Sequence, residues 1–161
     1  MVVFDNSQGI WGPNKSEYRK FKIKSISGID DVAAMKEVLS RRFQNDWPWP
    51  DLVVLDGGKG HLNMAKSVLK DALLRQDYGG QAAKETVKDM DKIALLSVAK
   101  GPKRKNVTCI KYRVRRSDLK EVVNDKKLLK QITDEAHRFA IAYHRLLRQR
   151  QMKLDKRNKT N

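Results

Sequence analysis

The sequence predicts one mixed α/β domain, and three observations lead to that prediction. Two apolar runs, Leu52–Leu55 and Lys92–Val98, have the continuous hydrophobicity of strands that are covered on both faces. A helical pattern follows the first run, over Leu62–Leu74, and a longer one over Lys126–Arg150 carries its apolar residues in a single stripe. Strands that alternate with helices favour parallel pairing, so we expect Leu52–Leu55 at the centre of a sheet with the long helix packed on it.

Three further segments have the composition of strands or of a loop. Met1–Phe4 is apolar and partly β-branched, which is typical of a strand, and Val107–Val114 is another strand candidate. Asp5–Ser16 is rich in Gly, Asn, Ser and Pro, which predicts a loop. Tyr18–Ile26 alternates apolar and polar residues and therefore predicts a half-buried strand.

One more helix and a tail complete the expected organisation. A helix is predicted over Val32–Phe43, because either Asp30 or Asp31 can cap its first turn. The last residues of the chain are nearly all polar. We therefore place the domain at residues 1–150 and a polar, basic tail at residues 151–161.

Positive charge is concentrated in the C-terminal part of the chain. The 161 residues include 35 Lys and Arg against 19 Asp and Glu, a net charge of +16. Residues 1–99 carry 15 basic and 13 acidic side chains, whereas residues 100–161 carry 20 basic and 6 acidic ones. A polyanionic partner explains this excess, and nucleic acid is the commonest one. A solvated basic surface is the alternative that the charge leaves open.

Other classes of protein are excluded by what the sequence lacks. No apolar run approaches the roughly 20 residues of a membrane helix, and the start MVVFDNSQG has no pattern of a secretory signal. Cys109 is the single cysteine, so neither a disulfide framework nor a Cys-based zinc site is expected. A reducing, cytoplasmic setting is the natural expectation.

The segment LVVLDGGKG carries the clearest candidate for chemistry. A strand that ends in Asp56 and continues through glycines into a helix places a carboxylate at the carboxyl edge of the sheet, where α/β sheets bind ligands. The spacing is neither that of a phosphate-binding P-loop nor that of a dinucleotide fingerprint. A tight turn with a helix-capping Asp is the alternative. Phosphodiester hydrolysis needs a hard cation on carboxylate oxygens, and Asp56 suits one such ligand.

Further candidates lie on the predicted helices. Asp31 is a second possible carboxylate ligand or simply an N-cap. His137 flanks the apolar stripe of the long helix, where it is either a metal ligand or proton-transfer group or a histidine packed against the core. His61 has no evident partner and is expected at the surface. The candidates for phosphate contacts are Lys59, Lys100, Arg138, Arg145 and Arg148.

Three blocks of the sequence resemble a known family. KSEYRKFKIKSISGIDDVAAMKEVLSRRF, PDLVVLDGGKGHLNMAKSVL and DEAHRFAIAYHRLLR are similar, in this order, to the C-terminal endonuclease domain of the bacterial excinuclease family UvrC. The resemblance implies an RNase H-like mixed sheet with flanking helices. It also implies a nuclease that cuts damaged DNA on the 5′ side of the lesion in nucleotide excision repair.

The resemblance implies roles for individual residues as well. The family uses two Asp and one His around Mg²⁺ or Mn²⁺; its second Asp corresponds to Asp56 and its His to His137. A further acidic position corresponds to Asp31, and the Lys after the catalytic Asp corresponds to Lys59. The implied partners are damaged duplex DNA and the UvrB component of the excinuclease, and no membrane is implied.

The sequence departs from the family pattern at its start. The family's first catalytic Asp lies on a strand in a block like E-C-F-D-[IN]-S-H, and Met1–Phe4 resembles the strand that follows it. We therefore expect the first strand and its Asp to be missing, with Asp5, only 13 residues before Tyr18, as an alternative metal ligand. Because the family's GIY-YIG nuclease, its UVR helix pair (the usual UvrB docking region) and its helix-hairpin-helix repeats are not in this sequence, we expect a fragment.

Three functions remain open at this point: an excision-repair endonuclease domain, a catalytically impaired DNA-binding fragment of one, and a non-functional remnant. We expect Asp56 and His137 to meet at the carboxyl edge of the sheet. A hard cation prefers about six oxygen ligands. With one certain Asp, we expect weak metal binding and little cleavage by the isolated chain.

Overall fold

The computed structural model describes residues 1–7, 9–24, 28, 30–76, 93–100 and 107–158, which form two compact units. The terminal unit contains Met1–Lys22 and Asp125–Asn161, and the central unit contains Ile23–Asn124. The elements, in chain order, are β1 (Phe4–Ser7), β2 (Ile10–Pro13), a 3₁₀ turn (Lys15–Glu17), α1 (Asp31–Phe43), β3 (Leu52–Asp56), α2 (Lys59–Gln76), β4 (Ala94–Lys100), β5 (Val107–Tyr112), α3 (Ser117–Asn124) and α4 (Lys126–Asn158).

The central unit contains a mixed three-stranded sheet in the order β3-β4-β5. β3 and β4 are parallel, with Asp56 opposite Val98, and β5 is antiparallel to β4. The predicted mixed α/β class and the predicted parallel pair are therefore confirmed. Among the strands of the described residues, the prediction that Leu52–Leu55 is central is wrong, because β4 lies between β3 and β5. A continuous apolar run indicates that both faces of a strand are buried. It does not show whether the strand pairs with one other strand or with two.

The core of the central unit lies between this sheet and α2. Helix α2 buries residues at spacings of three and four, which is the apolar face that an amphipathic helix presents to a core. Helix α1 packs on α2, and the side chain of Asp30 caps α1 by accepting from the N–H of Ala33 at 2.9 Å. The cluster of buried residues comprises Leu39, Phe43, Leu55, Leu62, Ala65, Val68, Leu69, Leu73, Ile93 and Leu95.

Helix α3 is an element that we did not predict from the sequence. Its eight residues bury Leu119, Val122 and Val123. The guanidinium of Arg116, the residue before this helix in the chain, forms ion pairs with Asp51 and Asp118. Two turns give too few apolar positions for a clear helical period, which explains why the pattern was missed.

The terminal unit contains a hairpin where the sequence predicted a loop. β1 and β2 are antiparallel, with Phe4 opposite Pro13 and Ser7 opposite Ile10. Gly9, between the strands, has a φ of 82°, a conformation that favours glycine. The strand predicted at Met1–Phe4 thus begins only at its last residue. A short hairpin rich in polar and turn residues has the composition of a loop, which is why the prediction was wrong.

The predicted strand at Tyr18–Ile26 is not present in the described residues 18–24, and residues 25–27 lie outside the described part. The side chains contact α4 instead. The ring of Tyr18 packs edge-on against Phe139 at 5.1 Å, and Lys20 Nζ lies 5.7 Å and 5.8 Å from the rings of Phe139 and Tyr143. At Tyr18, the first apolar residue of the alternating segment, the apolar side chain thus packs on a helix rather than in a sheet.

Helix α4 is the longest element of the terminal unit. It begins at Lys126, as predicted, and continues to Asn158, beyond the predicted end at Arg150. The side chain of Asp125 caps it by accepting from the N–H groups of Lys127 and Leu128 at 2.9 Å and 3.0 Å. None of the helices in the described part of the chain has the length and apolarity that a membrane span requires.

Candidate functional site

Asp56 ends β3 and is exposed at the carboxyl edge of the sheet, where the sequence placed it. Gly57 and Gly58 connect it to α2, which begins at Lys59. The N–H of Gly57 donates to the carbonyl of Val98 at 3.0 Å. The turn after Asp56 is therefore hydrogen-bonded to the neighbouring strand, and Asp56 is the last residue of β3.

Gly57 is closely approached by the side chain of His61. A Cβ atom built on Gly57 would lie 2.4 Å from both Cγ and Nδ1 of His61 and 2.9 Å from its Cβ. His61 is half-buried, so it lies less at the surface than we expected. The need for glycine at position 57 is thus steric: only a residue without a side chain leaves room for this imidazole.

We predict that Gly57→Ala destabilises the chain by about 1–3 kcal/mol, the usual cost of an overpacked contact. The atoms in the way are near the base of His61, so the ring cannot simply swing aside. Gly58→Ala is the matched control, because a Cβ at Gly58 meets nothing within 4 Å. Urea unfolding of both variants and of Gly57→Ala/His61→Ala measures the effect. The double variant should recover part of the loss, because it removes the two contacts at 2.4 Å and keeps the one at 2.9 Å. Equal stabilities for the two single variants would contradict it.

Ser97 is a further residue of this region that the sequence reasoning missed. It lies in β4, is fully buried, and its hydroxyl lies 2.6 Å from the carbonyl oxygen of Gly57. A signal was available, since Ser97 interrupts the otherwise apolar run IALLSV. One serine in a strand is too common a feature to single out without coordinates.

Asp31 and the basic candidates of the central unit lie on separate elements. Asp31 is the exposed first residue of α1; the cap of that helix is Asp30, so Asp31 does not fill the capping role. Lys59 is exposed in the first turn of α2, and Lys100 is the last residue of β4. The cation-binding role of Asp31 and the phosphate contacts of both lysines stay predictions.

His137 is exposed on α4, and two residues near it in the sequence, Glu135 and Arg138, form a cluster of hydrogen bonds with Tyr18. Glu135 accepts from Nε and Nη2 of Arg138 at 2.6 Å and 2.7 Å, and from the hydroxyl of Tyr18 at 3.0 Å. The hydrogen bonds from Arg138, and then the one from Tyr18, lower the pKa of Glu135 to about 2. Burial, and then the hydrogen bond to Glu135, raises the pKa of Tyr18 to about 12.

We predict that this cluster makes stability fall in acid. Because the pKa of Glu135 is about 2 in the folded chain against 4.5 ordinarily, its contribution is complete above about pH 4.5 and is lost as the pH falls towards 2. Glu135→Gln should flatten this part of the stability profile by about 1 kcal/mol, a figure reduced for the exposure of Arg138. Unfolding followed from pH 6 to about pH 2 is the measurement, with the exposed Glu121→Gln as control. A profile unchanged in Glu135→Gln would refute the prediction.

The other candidates of the terminal unit have different surroundings. Arg145 and Arg148 are exposed on α4, whereas two nitrogens of Arg138 are engaged by Glu135. Asp5 lies half-buried in β1, and its Oδ2 accepts from Nδ2 of Asn14 at 2.8 Å. The phosphate contacts of the arginines and the metal-binding role of Asp5 stay predictions.

The candidates therefore divide between the two units. Asp56 and Asp31 belong to the central unit, and His137 and Asp5 belong to the terminal unit. Within each unit, and among the residues that the structure describes, no three His, Cys, Asp or Glu side chains form a group that could hold a metal ion. The expected meeting of Asp56 and His137 stays a prediction.

Comparison with known proteins gives a consistent result. The family model for the UvrC RNase H endonuclease domain matches residues 1–141. Proteins named UvrABC system protein C are similar over most of the chain: that of Prosthecochloris aestuarii is 43% identical over 84% of it, and that of Pelodictyon phaeoclathratiforme 39% over 94%. That of Streptococcus thermophilus is 37% identical over 92%. The chain spans 20%, 21% and 22% of the length of these relatives, about a fifth.

Proposed function

The chain belongs to the family of UvrC RNase H endonuclease domains, and from this premise we propose that it is the nuclease domain of a DNA excision-repair endonuclease. The proposed reaction is metal-dependent incision of damaged DNA on the 5′ side of the lesion. The observation that carries the proposal is the exposed carboxylate of Asp56, held at the carboxyl edge of the sheet by the Gly57–Gly58 turn.

The residues at this edge fit the proposed cofactor in their chemistry. An exposed carboxylate is the kind of hard oxygen ligand that Mg²⁺ or Mn²⁺ prefers, and Asp56 supplies one. When bound, such a cation activates water and neutralises charge that develops on the phosphate. Lys59, exposed in the first turn of α2, adds positive charge that attracts the phosphate backbone. The proposed role of His137 is to hold or transfer a proton at its imidazole.

A nicking assay tests this proposal directly. The chain is incubated with an end-labelled duplex that contains one bulky lesion, with Mg²⁺ or Mn²⁺, and product lengths give the position of the cut. The expected result is a weak cut 5′ of the lesion that EDTA prevents. Cleavage that is equally strong without divalent metal, or that is unrelated to the lesion, would contradict the proposal.

A DNA-binding fragment with impaired catalysis is the second candidate. The observation that favours it is that the exposed end of β3 carries one carboxylate, that of Asp56, because one carboxylate leaves most of the coordination shell to water. This candidate predicts that the chain binds the duplex but does not nick it. A gel-shift measurement run beside the nicking assay separates the two.

We predict that DNA binding is largely independent of sequence and weakens steeply with salt. The net charge of the whole chain is +16 and lies mainly after residue 99. Counterions are released when basic side chains neutralise phosphates. If only two phosphates are neutralised, raising the salt from about 50 to 200 mM should already lower the affinity about tenfold. Fluorescence anisotropy on two duplexes of unrelated sequence measures both properties. An affinity that stays flat over this range would contradict the prediction.

The remaining parts of the proposal concern context. The name UvrABC system protein C places the relatives in a system of several components. We propose that damaged duplex DNA is the substrate of this domain, that it works beside the UvrB component, and that its setting is the cytoplasm. Binding of UvrB to this chain, measured by calorimetry, tests the partner.

A further inference from the structure

Ser97 is the one polar residue that is fully buried in the described part of the chain. It lies on β4, the central strand, between the apolar residues Leu96 and Val98. A buried hydroxyl is unfavourable unless it finds a hydrogen-bond partner. The partner here belongs neither to β4 nor to α2, but to the turn that follows Asp56.

The hydroxyl of Ser97 reaches two carbonyl groups of that turn. It donates to the oxygen of Gly57 at 2.6 Å, and the oxygen of Gly58 lies 3.1 Å away, a shared arrangement. The next residue of β4, Val98, accepts from the N–H of Gly57 at 3.0 Å. Both the N–H and the carbonyl group of Gly57 are therefore hydrogen-bonded to the central strand.

These hydrogen bonds hold the backbone next to Asp56. Asp56 is exposed, so packing does not hold its side chain, and its position depends on its backbone. The carbonyl of Gly58 also accepts from the N–H of Leu62 at 3.3 Å, which joins the start of α2 to the same turn. The hydroxyl of Ser97 therefore contacts the turn that joins the end of β3 to the first turn of α2.

We propose that Ser97 is a positioning residue for Asp56: its buried hydroxyl fixes the turn from which Asp56 presents its carboxylate to a divalent cation. This inference rests on the proposed function, in which Asp56 is a metal ligand. A positioning role predicts two effects of Ser97→Ala, a local loosening of the turn and a weaker cation site, without a general loss of the fold.

Amide hydrogen exchange by NMR tests the local effect without metal or substrate. Ser97→Ala should reduce the protection of the Gly57 and Leu62 amides about tenfold relative to the Ala94 amide. The Ala94 amide donates to Asp51 at the opposite end of the β3–β4 pair and serves as the internal reference. Leu96→Val, a buried change on the same strand that does not touch the turn, is the matched control. Equal losses at Gly57 and Ala94 in Ser97→Ala, or the same local loss in Leu96→Val, would overturn the inference.

A Mn²⁺ titration followed by electron paramagnetic resonance tests the consequence for the site. Asp56→Asn should abolish the specific binding, Ser97→Ala should weaken it about tenfold, and Leu96→Val should leave it unchanged. If Asp56→Asn abolishes binding and Ser97→Ala does not weaken it, the positioning role is refuted. If Asp56→Asn leaves binding intact, the metal role in the proposed function fails, and with it the cation part of this inference. The exchange experiment then decides separately whether Ser97 holds the turn.

Discussion

Asp56→Asn is expected to reduce metal-dependent nicking by about 10²–10³-fold. A bound cation contributes several kcal/mol to a phosphodiester transition state, and each 1.36 kcal/mol is a factor of about ten in rate. Asn keeps the shape of Asp but removes the charge that makes its oxygen a good ligand. Because Asp56 is exposed, the change should alter stability by no more than about 0.5 kcal/mol.

The control for this experiment is Asp71→Asn. Asp71 is exposed on α2 of the same unit, so its variant has the same net charge as Asp56→Asn without touching the candidate site. Nicking that survives Asp56→Asn at the level of Asp71→Asn would show that Asp56 is not a ligand. Asp5→Ala completes the set, because loss of nicking in that variant would identify Asp5 as a further ligand.

Leu73→Ala is expected to destabilise the chain by about 2–5 kcal/mol, the range for a large buried residue truncated in a core. Leu73 is 2% exposed and belongs to the main buried cluster, whereas its neighbour Leu74 is 51% exposed. Domains of ordinary stability unfold at a cost of about 5–15 kcal/mol, so this one truncation removes a large share.

Leu74→Ala is the matched control, because it makes the same chemical change one residue further along the same helix. It should cost no more than about 0.5 kcal/mol, the usual limit for a surface position. Chemical denaturation of both variants gives the comparison. Similar midpoints for the two would mean that the buried face of α2 is assigned incorrectly.

The sequence predicted the parts of the fold that depend on long apolar patterns. Leu52–Leu55 and Lys92–Val98 were recognised as a parallel pair because a buried parallel strand is continuously apolar. The position of each strand within the sheet could not be predicted, because the hydrophobicity of a strand does not show which other strands pair with it. The hairpin of β1 and β2 was not predicted for a related reason: its residues have the composition of a loop, and the pairing of Asp5 with Gly12 and of its neighbours appears only in the folded structure.

The position of the candidate site could be predicted from the sequence, but the residues that contact the turn after Asp56 could not. Asp56 could be placed because a strand, two glycines and a helix follow one another in the sequence. The contact between Gly57 and His61 and the hydrogen bonds of Ser97 join residues whose approach depends on three-dimensional packing. Sequence patterns identify a ligand at a strand end, whereas the residues that hold it in place come from elsewhere in the chain.

The make-up of the terminal unit has a consequence for the order of folding. Tyr18 and Glu135, which are hydrogen-bonded, are separated by 117 residues, and the whole central unit lies between them in the chain. A ribosome adds about 5–20 residues per second, so Tyr18 is synthesised on the order of ten seconds before Glu135. The contiguous central unit can fold during that interval. A folded central unit leaves fewer flexible residues between Tyr18 and Glu135, which lowers the entropic cost of joining them. The terminal unit is therefore expected to form last.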